Sequence, residues 1–312
     1  MELRPLGFGE IFDRAITLYI RNFVPFAAIV GVLIVPLAIL QYFLNLSSQP
    51  EYDAIFRVFQ HPGQAGTEHI PTIFDTPAAV GVLAATLLLA YVMGPFVMNA
   101  VAVGVARLYR DRPVEFRACY EAVFRRWPQI LGLIGIEFLV VLGLYLAAVF
   151  IAVGIVFVAI ALGGALPGLA FVFGLFAVLI VIVVMLPLIA PLIVALAFAM
   201  YAAVIEERAV VASLLLGFSR VFNRAEFWRA LLFCIAALAI TVGASTMLSM
   251  LGLAAAIVHL PVVETIIQTV PSFVITPFSA VLFAIYYFDV RIRREAFDLE
   301  TSLERLTAAQ PA

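Results

Sequence analysis

From Phe138 to Ile205 the chain has no charged, amide or Ser/Thr side chain for 68 consecutive residues, and Tyr145 and Tyr201 carry the only side-chain hydroxyls there. No soluble core hides so long a run, so a water-soluble domain is excluded and a bilayer is the expected solvent. Charge is scarce throughout, at 12% against 65% hydrophobic residues, well outside the soluble range. A membrane barrel would alternate apolar and polar residues, and these segments do not, which leaves helices as the spanning form. Lysine is missing altogether, all 18 basic residues being Arg. Cysteine is limited to Cys119 and Cys234, expected on the cytoplasmic side and inside the fifth span, so no disulfide framework is possible. Gly-x-Ser-x-Gly, a Walker loop, His-Glu-x-x-His and Cys-x-x-Cys are all lacking. No enzymatic activity, cofactor or nucleic-acid partner is expected.

The arginines that are present set the topology. Seventeen of them fall into four clusters, Arg4 to Arg21, Arg107 to Arg126, Arg208 to Arg229 and Arg291 to Arg305, with Arg57 alone elsewhere. The positive-inside rule makes these clusters cytoplasmic, so an even number of crossings separates each from the next. Two per interval predicts an all-α, polytopic bundle of six spans: Phe23–Leu46, Pro77–Ala106, Pro128–Leu162, Leu169–Val204, Ala230–Val258 and Thr265–Phe288, with both termini cytoplasmic. Pro187 and Pro191 read as kinks in the fourth span and Gly94-Pro95 as one in the second. At about 1.5 Å per residue the third and fourth spans exceed roughly 50 Å and must tilt, bend or extend beyond the bilayer. Acidic residues mixed with the first arginines, and the full length of the first apolar run, argue against a cleaved signal peptide.

A repeat underlies the spans. Arg21, Arg126 and Arg224 lie roughly one hundred residues apart, each preceded two positions earlier by an aromatic, Tyr19, Phe124 or Phe222. Three units in one membrane domain result: residues 6–106, 112–205 and 210–290, followed by a cytoplasmic tail, 291–312. Each opens on an amphipathic helix. Ile11, Phe12, Ala15, Ile16 and Tyr19 form the apolar face of the first; Phe116, Cys119, Tyr120, Val123, Phe124 and Trp127 of the second; Val211, Leu214, Leu215, Phe218 and Phe222 of the third. Such helices are expected to lie in the membrane interface, apolar face down. Tyr19, Arg21, Arg126, Trp127, Arg224 and Trp228 are the candidate lipid anchors, either fixing depth or recognising an anionic lipid.

At this point the residues resemble a family. Arg4-Pro5-Leu6, Gly9-Glu10-Ile11-Phe12-Asp13-Arg14-Ala15 and Tyr19-x-Arg21-Asn22-Phe23 resemble the opening of bacterial proteins named for the glycerophosphoryl diester phosphodiesterase membrane domain. Tyr286-Tyr287-Phe288-Asp289-Val290-Arg291-Ile292-Arg293-Arg294-Glu295-Ala296-Phe297-Asp298-Leu299 is similar to their close, with Ala296 where the family often has Gly. The hydrolase activity of two-domain relatives belongs to a soluble barrel that this chain lacks. The resemblance implies a stand-alone multi-spanning membrane protein of undefined activity.

Few residues are candidates for chemistry. Glu137 lies about ten residues into the third span, where an unpartnered carboxylate is costly. Asn99 and Ser279 are placed at a similar depth in the second and sixth, so a polar cluster of Glu137, Asn99 and Ser279 is expected. It reads either as an interhelical hydrogen-bond clamp or as a proton- or substrate-handling site. Thr241, Ser245 and Ser249 form a small-polar packing stripe. His61, Glu68, His69 and Asp75 could be drawn as a metal site, but their spacing matches no ligand motif and a solvated outer loop is expected, with His259 and Glu264 also outside. Two functions fit: a scaffold or accessory protein contacting membrane lipids and an envelope partner, or a transporter of a lipid-like or other apolar solute. The polar-poor third and fourth spans count against a hydrophilic solute.

Overall fold

The computed structural model describes residues 5–60, 72–163, 187–224, 226–258 and 260–295. Among these there are nine α-helices and no strand: α1 Phe8–Arg21, α2 Phe23–Gln60, α3 Pro77–Tyr109, α4 Phe116–Phe124, α5 Trp127–Gly163, α6 Pro187–Ile205, α7 Val210–Val221, α8 Phe227–Ile257 and α9 Pro261–Glu295. A 3₁₀ turn, Ile73–Asp75, precedes α3. Six of the nine, α2, α3, α5, α6, α8 and α9, are long and apolar enough to cross a bilayer. The expected all-α multi-span class is therefore the observed one. The element order is short, long, long, three times over.

Local chemistry explains the boundaries. α1 starts where Glu10 reaches back to accept the Gly7 N–H at 2.7 Å, half of a capping box. Asn22 ends it, its side-chain amide donating to the Leu18 carbonyl at 3.0 Å. α2 runs well past the expected Leu46 because Ser47 and Ser48 turn their hydroxyls onto the Phe43 and Leu44 carbonyls, so polar residues continue the helix. Pro77 and Pro261 open α3 and α9, where a missing N–H costs nothing. Pro95 lies inside the unbroken α3. Pro187 is the first described residue of α6, and the rest of the expected fourth span lies outside the described residues.

The chain divides into two compact units, 1–125 with 236–312, and 126–235. In the first, α2, α3 and α9 pack on one another, α1 lies on α9 and α4 on α3. Its core is aromatic at the Arg-rich end of α9, where Tyr286, Tyr287 and Phe288 are fully buried and Phe288 meets Tyr109 at 4.9 Å between ring centres. In the second, α7 lies against α6. Each short helix thus sits on the last long helix of the preceding trio, in cyclic order of the sequence: α1 on α9, α4 on α3, α7 on α6. α5 exposes Phe138, Leu139, Val141, Tyr145, Phe150 and Phe157, a surface that water would not tolerate and hydrocarbon would.

Candidate functional site

The two end motifs meet. The Leu6 N–H donates to Asp289 Oδ1 at 2.7 Å, Arg293 Nε donates to Asp289 Oδ2 at 3.0 Å, and Arg293 Nη2 donates to the Leu6 carbonyl. Asp289 is completely buried, and these charge-assisted bonds keep its carboxylate solvated by protein. Arg291 stacks 6.0 Å from the Tyr287 ring centre. A clasp therefore joins the segment before α1 to the end of α9, 283 residues apart in sequence. Arg4 and 296–299 lie outside the described residues.

The short helices are two-sided. On α1, Ile11, Ala15, Leu18 and Tyr19 are buried, whereas Phe8, Ile16 and Ile20 are exposed. On α4, Cys119, Tyr120 and Val123 are buried and Phe116 and Phe124 exposed, with Trp127 exposed just beyond. On α7 the buried face is Ser213, Gly217, Arg220 and Val221, and the apolar residues Val211 and Leu215 point outward. The anchors accordingly separate. Arg21, Trp127, Arg224 and Trp228 are exposed. Tyr19 is 5% exposed, its hydroxyl donates to the Phe273 carbonyl at 3.4 Å, and burial pushes its pKa up to about 12. Arg126 pairs with Glu207.

Two turns share an unusual backbone. Asp111, after α3, and Glu207, after α6, both take φ 55°, the left-handed region that ends helices but strains side-chain-bearing residues. An arginine follows each, Arg112 and Arg208. After the first, Arg107 ties the turn down, donating to the Pro113 carbonyl at 2.9 Å and pairing with Glu115 at 3.1 Å. After the second, Glu206 pairs with the buried Arg220 of α7 at 2.8 Å. A Cβ built on Gly217 would fall on the Ala195 carbonyl oxygen and within 2.8 Å of the Ala199 nitrogen, so only glycine lets α7 come this close to α6.

The expected polar cluster is distributed over both units. Glu137, on α5, is in the second unit; Asn99 and Ser279, on α3 and α9, are in the first. Asn99 is fully buried and donates to the Pro95 carbonyl at 2.8 Å, while Ser279 donates to the Ile275 carbonyl at 2.8 Å, each on its own helix. Thr241 and Ser245 likewise bond back to Ala237 and Thr241 at 2.9 and 2.7 Å; the Ser249 side chain lies outside the described residues. The sequence reading missed a different cluster. Glu264 belongs to the first turn of α9 and is 1% exposed. Gln268 donates to its Oε1 at 3.3 Å. Beside it, Gln41 donates to Asn45 at 2.8 Å and Asn45 to Thr265 at 3.0 Å, joining α2 to α9. Pro261 at a helix start, an acid in the first turn and Gln four residues on were the available signals.

Next to this cluster an open groove of about 410 Å³ runs between α2 and α9, lined by Val35, Ile39, Phe43, Val262, Ile266 and Phe273, with Tyr42 and Thr269 at hand. It offers dispersion contacts and few polar groups. His61, Glu68, His69 and His259 lie outside the described residues, and Asp75 caps the turn before α3 by accepting the Thr72 N–H at 2.7 Å. Among the described residues no three His, Cys, Asp or Glu gather as metal ligands.

Six apolar spanning helices define the class, a multi-pass helical membrane protein. No family model, curated protein or solved structure matches this chain.

Proposed function

We propose that the chain is a non-enzymatic scaffold or accessory protein of the bacterial cytoplasmic membrane, both termini in the cytoplasm. Its short helices engage inner-leaflet lipids, and the segment beyond Asp289 meets an envelope partner. The observation that carries this reading is the two-sidedness of α1, α4 and α7, which bury one face on a long helix and expose Ile16 and Ile20, Phe116 and Phe124, and Val211 and Leu215 on another, with Arg21, Arg125 and Arg224 exposed close by. Apolar side chains beside guanidinium groups suit the boundary between acyl chains and phosphates. The repeated order of helices and their cyclic packing support a threefold internal repeat, and the resemblance of both ends to the glycerophosphoryl diester phosphodiesterase membrane-domain proteins supports membership of that group.

The α2–α9 groove favours a second reading, transport of a lipid-like solute, because it is long, apolar and open while the Asn45–Thr265 pair supplies a polar edge. Purification in native-lipid particles separates the two. A stoichiometric envelope protein supports the scaffold; a stoichiometric lipid with no protein supports lipid handling; loss of both on mild washing contradicts each.

A further inference from the structure

Around α1 the side chains fall into three stripes. Ile11, Ala15, Leu18 and Tyr19 face the protein, and Ile16 and Ile20 form an exposed apolar stripe. Asp13, Arg14, Thr17 and Arg21 form the third, and it walls a pocket of about 420 Å³ whose opposite side is Leu108 and Asp111, at the end of α3. Asn22 and Leu18 complete the lining.

Two guanidinium groups and two carboxylates around one small pocket complement a ligand that carries both signs. Arginine holds phosphate through paired N–H donors, and a primary ammonium has three N–H donors for carboxylates. We propose that this pocket binds the headgroup of a zwitterionic phospholipid with a primary ammonium, phosphoethanolamine. The inference rests on reading α1 as an interfacial helix. The exposed Ile16 and Ile20, with Val24 at the start of α2, supply an apolar surface for the acyl chains, which is why the source is a lipid and not a soluble phosphate ester. A lipid of net negative charge would meet Asp13 and Asp111. A trimethylated headgroup would bring no N–H to them. Arg14 also interacts with the buried Tyr109 hydroxyl, which fixes it in the wall, and the exposed Arg21 is the guanidinium placed to take the phosphate.

The test presents full-length, delipidated protein with an equimolar mixture of phosphatidylethanolamine, phosphatidylglycerol and phosphatidylcholine of identical chains, read by native mass spectrometry. One phosphatidylethanolamine should be retained, about tenfold over the others, and Arg21→Gln and Asp111→Asn should each lower that preference about tenfold at unchanged helicity; asparagine tolerates the left-handed backbone at 111. Equal retention of the three lipids, or a preference that survives in both variants, overturns the site. Competition by soluble glycerophosphoethanolamine at concentrations equal to the lipid also overturns it, by making the ligand soluble. Ile20→Trp fluorescence with brominated lipid, in a Trp127→Phe, Trp228→Phe background so that position 20 holds the sole tryptophan, tests α1 separately: quenching without lipid preference removes the site alone, and absence of quenching removes the interfacial reading and the site with it.

Discussion

Pro277 decides what Tyr19 does. A proline has no N–H, so the carbonyl four residues earlier, that of Phe273, loses its helical donor, and the Tyr19 hydroxyl of α1 stands in for it. Tyr19→Phe should lower thermal stability in detergent by about 0.5–1.5 kcal/mol, whereas Phe124→Leu, at an exposed position, should change it far less; equal losses would contradict the assignment. Cys119 is a second residue whose setting is explicit. Burial raises its thiol to about 11 from an ordinary value of 9.0. The neutral thiol is therefore the folded form's preference, and its contribution to stability is complete below pH 9 and lost as pH rises toward 11. Native protein at pH 8 should leave Cys119 unmodified by a maleimide that labels it after unfolding. For Glu137, Glu137→Gln should keep the fold, and Glu137→Leu should cost on the order of 1 kcal/mol if the carboxyl clamps helices as a neutral group; loss of pH-dependent transport or binding in the Gln variant would point to proton handling.

At the scale of elements, the α6–α7 seam at Gly217 is open to disruption by a small change. Gly217→Ala adds a Cβ against the Ala195 carbonyl, so α7 must shift away from α6 and strain the Glu206–Arg220 pair. A loss of about 1–3 kcal/mol is expected, measured by thermal unfolding, and wild-type stability would show that the seam is not that tight. Periodicity found α7 and set its apolar stripe toward the membrane, where Val211, Leu215 and Phe222 are exposed. What it did not give is the packed face, because Ser213, Gly217 and Arg220 carry no apolar signal. In a bilayer the solvent is apolar too, so small and polar residues can pack while apolar ones face outward. Boundaries failed for a related reason. The expected sixth span stops at Thr265 and Phe288 because charge begins there, yet α9 runs from Pro261 to Glu295. Asp289 and Glu264 do not end the helix, since one is neutralised by Arg293 and the Leu6 amide and the other accepts from Gln268. The clasp was invisible to any local pattern, because its partners lie 283 residues apart.

At the scale of the molecule, the number of spans was plain from the sequence, because a polar-free run of 68 residues and four arginine clusters admit few solutions. Which side those clusters occupy is the central claim, since the lipid-gripping role of the short helices depends on it. Single Gln64→Cys, Gly164→Cys, Val262→Cys, Ser219→Cys and Ser302→Cys substitutions, challenged with an impermeant thiol reagent outside intact cells, test it most directly; Cys119 and Cys234 are buried and should stay silent. Labelling is expected at 64, 164 and 262 and none at 219 and 302. Labelling at 219 from outside would contradict it.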